Sequence, residues 1–155
     1  MRYGPGQGPR RPPRVLINPM AAACVTGLLY FAVVFAFAFA MGVVRTLVVA
    51  PHLGATAAVL LELPIVVAAS WLVARRLLRH RSLTLAQRAA MGATAFALTL
   101  ASEAALSAIL RGQTVADWAA TLATPLGVAG LAGQLAFAAM PLFVGRGRTG
   151  ASSAG

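Results

Sequence analysis

"VVRTLVVAPHLGATAAVLLELP", residues Val43–Pro64, decides the fold. It reads as the end of one apolar segment, a turn at "APHLG" (Ala50–Gly54) and the start of a second segment. The first segment reaches back to about Met20 and the second runs on to about Leu78. Each supplies the ~20 residues that a membrane-spanning helix needs. The alternation "FAFAFA" at Phe35–Ala40 has the period of a strand. Length overrules it, because an isolated strand would leave its backbone unsatisfied in lipid.

Composition points the same way. The 155 residues are 59% hydrophobic and only 10% charged, with a mean hydropathy of +0.81. A soluble domain carries about a quarter charged residues. A chain of this size could not hide so much apolar surface in a soluble core.

The rest of the chain divides around the same pattern. Residues 1–14 are Gly, Pro and Arg, a disordered basic tail by composition. A membrane domain follows over residues 15–144, with spans predicted at about 19–49, 55–78, 89–110 and 124–144. Asn18-Pro19 and Thr124-Pro125 both read as an N-cap followed by proline at the first helical position. Between the third and fourth spans, Thr114 caps a predicted short interfacial helix, which places Val115, Trp118, Ala119 and Leu122 on one face. Residues 145–155 form a flexible tail by composition. The expected fold class is therefore all-α: a four-helix transmembrane bundle with a short interfacial helix before the last span.

The charge pattern predicts an orientation. The net charge of +10 comes from 13 arginines, with no lysine. Eleven arginines fall in the two tails and the middle loop, and only Arg45 and Arg111 lie on the other side. Arg75, Arg76, Arg79 and Arg81 are the centre of this topology signal. It places both termini in the cytoplasm. The arginines lie between and outside the apolar runs, which argues against nucleic acid as the partner and for the lipid bilayer. The single cysteine, Cys24, excludes an internal disulfide.

Inside the spans the polar residues are few. The midpoint of Arg45 and Glu62 falls within the turn Pro51–Gly54, so antiparallel helices put them at one depth. Glu62 lies roughly 12 Å from the end of its helix at 1.5 Å per residue. Glu103, eight residues before Arg111, reaches about the same depth on the third span. The expectation is one buried Arg–Glu–Glu layer. An arginine has five donors and can serve two carboxylates. Pro64 breaks the helix beside Glu62 and frees the Leu60 carbonyl. In the last span, Gly127, Gly130, Gly133 and Gln134 are read as helix-packing residues, within the bundle or between copies.

Gly42, Arg45, Pro51, Gly54, Glu62, Pro64, Ser70 and Trp71, with Glu103 and "GLAGQ" (Gly130–Gln134), form a pattern over about residues 20–143. It resembles that of small, uncharacterised four-pass bacterial inner-membrane proteins. The resemblance implies a fold and a location, and transfers no activity.

Two functions remain open on the sequence. One is a structural or accessory bundle held by the charged layer, self-associating or serving another membrane protein. The other is a transporter or channel subunit for protons or a small cation, with Glu62 or Glu103 titrating. No Ser-His-Asp set, zinc-protease motif or phosphate loop is present, so no enzyme, metal or cofactor is expected.

Overall fold

The structure, a computed structural model, describes residues 18–144. The two predicted tails therefore lie outside the described residues. Six α-helices run in the order α1 (Pro19–Val44), α2 (Ala50–Leu53), α3 (Ala55–Leu78), α4 (Leu85–Arg111), α5 (Val115–Thr121) and α6 (Pro125–Phe143). A π-helical turn, Arg45–Val49, joins α1 to α2, and the described residues contain no strand. Four helical units, Pro19–Leu53, Ala55–Leu78, Leu85–Arg111 and Pro125–Phe143, are long and apolar enough to cross a membrane. The protein is an all-α four-helix bundle of the multi-pass membrane type.

The helix starts follow from local hydrogen bonding. Asn18 accepts from the Met20 amide at 3.0 Å, with Pro19 at the first helical position. Thr124 accepts from the Gly127 amide at 3.1 Å in the same way ahead of Pro125. Thr84 and Gln87 form a reciprocal capping box, so α4 starts at Leu85 and not at Ala89. Thr-x-x-Gln is the signature of that box, and it was legible in the sequence.

The first helix also differs from expectation at its other end. It does not stop at Val49 but continues through Pro51 to Leu53. Pro51 lacks an N–H and crowds the carbonyl four residues earlier. The chain accommodates it with a widened turn, in which the Ala50 amide donates to the Arg45 carbonyl, five residues back. The break comes at Gly54, whose φ of +80° suits only a residue without a side chain.

The four long helices form a ring. α1 packs beside α3 and α4, and α6 packs beside the same two. This leaves α1 diagonal to α6, and α3 diagonal to α4. The tight core gathers at the end where α3 turns into α4: Tyr30, Val34, Ala74, Leu78, Met91, Ala95, Phe137 and Val144 are buried there. Two glycines allow that closeness. A Cβ on Gly27 would lie 2.6 Å from the Met91 carbonyl oxygen, and one on Gly92 would lie 2.0 Å from that of Ala138. Both distances are far inside van der Waals contact, so α1, α4 and α6 meet backbone to backbone. At the opposite end, the π-turn, α2 and α5 contain no buried residue.

Candidate functional site

Arg45 and Glu62 meet across the first hairpin. The Arg45 Nε lies 3.1 Å from Glu62 Oε2, joining the π-turn to α3. The Arg45 side chain keeps 36% of its surface exposed and that of Glu62 15%. Among the described residues Oε2 has no aligned hydrogen-bond donor, so the contact is an ion pair and not a directed bond. Gly42 leaves room above it: a Cβ there would lie 3.9 Å from Arg45 Nη2 and 4.0 Å from Glu62 Oε1.

Glu103 does not join them. Its Oε1 accepts from Gln134 Nε2 at 2.6 Å, a bond between α4 and α6. The expected buried Arg–Glu–Glu layer is therefore corrected. The charges divide between two opposite seams of the ring, α1–α3 and α4–α6, and no charged residue among the described residues is buried. Glu103 is turned into the α4–α6 seam by its bond to Gln134, away from the α1–α3 seam where Arg45 meets Glu62. The Gln134 Oε1 beside Glu103 is buried without a hydrogen-bond partner among the described residues.

A third polar contact was not foreseen. Tyr30 is fully buried, and its hydroxyl donates to the Phe137 carbonyl at 2.9 Å. That carbonyl would normally accept from residue 141, which is proline and has no N–H. The tyrosine thus satisfies the acceptor that Pro141 leaves free. Its ring stacks on Phe137 with centroids 4.6 Å apart and planes 19° from parallel. Pro141 and Tyr30 are both plain in the sequence, but nothing in their numbering links α1 to α6.

The arginines read as a topology signal also have individual roles. Arg81 donates to Thr26 Oγ1, tying the α3–α4 turn to α1. Arg75 lies over the Trp71 ring, 5.2 Å from its centroid. The side chains of Arg76 and Arg79 are exposed and make no hydrogen bond or ion pair among the described residues. Arg88 donates to the carbonyls of Leu83, Pro141 and Val144, so it closes the C-terminal end of α6 from α4.

The four residues singled out in the last span separate. Gly133 lies against the Leu63 side chain, where a Cβ would stand 3.4 Å away, and Gln134 bonds Glu103. Gly127 instead makes room for the α5–α6 turn, since its Cβ would fall 2.0 Å from the Thr121 oxygen. A Cβ on Gly130 would meet nothing within 4 Å. The close helix approaches fall to Gly27 and Gly92, which sequence reasoning passed over because both sit in runs of alanine and other small residues.

Two hollows adjoin the first hairpin. One, about 90 Å³, includes Arg45, Glu62 and Ile65 in walls that are otherwise apolar. The other is an open groove of about 560 Å³ lined by Phe37, Pro64, Ile65, Ala68, Ala69 and Leu72. Pro64 therefore contributes a groove wall as well as a gap in the α3 ladder. Among the described residues no three His, Cys, Asp or Glu side chains converge to hold a metal ion. Asp117, outside the long helices, closes a capping box with Thr114, and these bonds hold its carboxyl below the usual range. No family model matches the chain, and no curated protein or solved structure does either.

Proposed function

We infer that the chain is a non-catalytic, structural or accessory membrane bundle of the bacterial inner membrane, with both termini in the cytoplasm. It would act by associating with itself or with another membrane protein. One observation carries the reading. The strongly polar side chains within the long helices are turned to holding helices together: Arg45 on Glu62, Gln134 on Glu103 and Tyr30 on the Phe137 carbonyl. The hollows beside them have walls that are almost wholly carbon, unlike a conduction path, which needs a chain of polar groups or water. The arginine distribution supports the orientation.

The second reading, proton or cation coupling, rests on the unpartnered Gln134 Oε1 beside the Glu103 carboxylate. Purified protein in liposomes separates the two. The accessory reading expects proton and cation flux no greater than in empty liposomes. Flux that Glu62→Gln or Glu103→Gln abolishes, with the variant still folded, would overturn it. Reporter fusions at each terminus test the orientation.

A further inference from the structure

The geometry points to a binding site for an anionic phospholipid on the α1–α3 face, with an acyl chain in the apolar groove and the headgroup on the arginines at its end. The inference goes beyond the accessory reading and does not depend on it.

The groove walls on α3 are Ile65, Ala68, Ala69 and Leu72, one helical stripe at i, i+3, i+4 and i+7. Continuing that stripe past Leu72 reaches Arg76 at i+4 and Arg79 at i+7, with Arg75 alongside. The apolar channel and the cations are therefore parts of one surface. Two alanines at its centre remove side-chain bulk, while Phe37 of α1 and the Pro64 ring form its sides.

Charge complementarity chooses the occupant. The chain has three acidic residues, Glu62, Glu103 and Asp117, and none is near the α3 C-terminus. The helix dipole there offers only about half a negative charge against three arginines. Arg81 is engaged by Thr26 and Arg75 lies over Trp71, which leaves the guanidinium groups of Arg76 and Arg79 for a phosphate. Arginine suits that ligand because its planar fork matches phosphate oxygens. A second copy of this chain would bring its own arginines to the same level and meet repulsion there.

Trp71 lies on the adjacent face, 41% exposed, and can report occupancy. The chain has two tryptophans, so Trp118→Phe leaves Trp71 as the sole emitter. That protein is placed in phosphatidylcholine bilayers doped with acyl-brominated phosphatidylglycerol or acyl-brominated phosphatidylcholine, and Trp71 quenching is measured. Brominated phosphatidylglycerol should quench at lower mole fraction, by roughly fivefold for each arginine engaged. The preference should vanish in Arg76→Gln/Arg79→Gln and persist in Arg76→Lys/Arg79→Lys. Arg75 stays unaltered because it touches the reporter. Ala69→Phe, or the milder Ala68→Leu, fills the groove and should reduce the preference with every arginine present. Equal quenching by the two lipids would overturn the site. So would a preference that survives groove filling in a variant of unchanged helicity. Trp71 shielded from both lipids in a cross-linkable dimer would assign the groove to a second copy instead.

Discussion

The hydroxyl of Tyr30 bonds the Phe137 carbonyl, the acceptor that Pro141 leaves without its helical partner. An orphaned carbonyl on α6 and a buried hydroxyl on α1 thereby satisfy each other. Each would be unfavourable alone: a buried, unpaired polar group costs about 1–3 kcal/mol. Tyr30→Phe should destabilise the bundle by about that amount while keeping the stacked ring. In a Pro141→Ala background residue 141 regains its N–H, so Tyr30→Phe should cost markedly less. Reversible unfolding in detergent, arranged as a double-mutant cycle, measures the difference. Equal costs in both backgrounds would refute the pairing.

The division of charges between opposite seams makes a second expectation. Glu62→Gln and Glu103→Gln share no partner, so their stability effects should add to within about 0.3–0.5 kcal/mol. Glu62→Ala strands Arg45 and should cost up to about 2.5–3.5 kcal/mol, the scale for a lone arginine at the centre of a membrane helix. Glu103→Ala removes one interhelical bond and should cost about 0.6–1.7 kcal/mol. Strong non-additivity would restore a shared three-residue site.

Glycine substitutions should sort by position along the bundle. Gly92→Ala puts a methyl 2.0 Å from the Ala138 oxygen, so α4 and α6 must part. Overpacking of this kind costs about 1–3 kcal/mol or more. Gly130→Ala meets nothing within 4 Å and should be neutral or slightly stabilising, as alanine is the better helix former. Thermal unfolding of the two variants compares them directly.

Acid should loosen the segment between α4 and α6 before the bundle. Hydrogen bonds from Thr114 hold the Asp117 carboxyl below its ordinary 3.8. A depressed folded-state value means that the cap is fully present above that ordinary value and is lost as pH falls through the lower one. Measured against intrinsic exchange rates, amide protection in α5 should therefore fall selectively in acid, and Asp117→Ala should show the same loss of protection at neutral pH. Fast exchange confined to α4 instead would contradict the assignment.

Much of this architecture was legible in the chain. Apolar run length set four spans, and Asn18-Pro19 and Thr124-Pro125 marked two starts. The turn midpoint brought Arg45 and Glu62 to a common level. Thr84…Gln87 was equally readable as a start, but the arginine-rich stretch around it drew the boundary towards Ala89. The π-turn before Pro51 was not readable, because proline can end a helix or be absorbed by a widened turn, and the choice depends on what packs beyond it.

Sequence by itself determined composition, span lengths, caps and the height of each polar group along its helix. Height follows from a fixed rise per residue and needs no partner. Tertiary structure decided which side each group faces and which helices are neighbours. It sent Glu103 to Gln134 and not to Arg45, closed the Phe137 carbonyl with Tyr30, and laid an apolar groove between α1 and α3. Rotation about a helix axis is set by packing against neighbours, here by the backbone contacts at Gly27 and Gly92. Those contacts join residues tens of positions apart, and no local pattern along the chain encodes them.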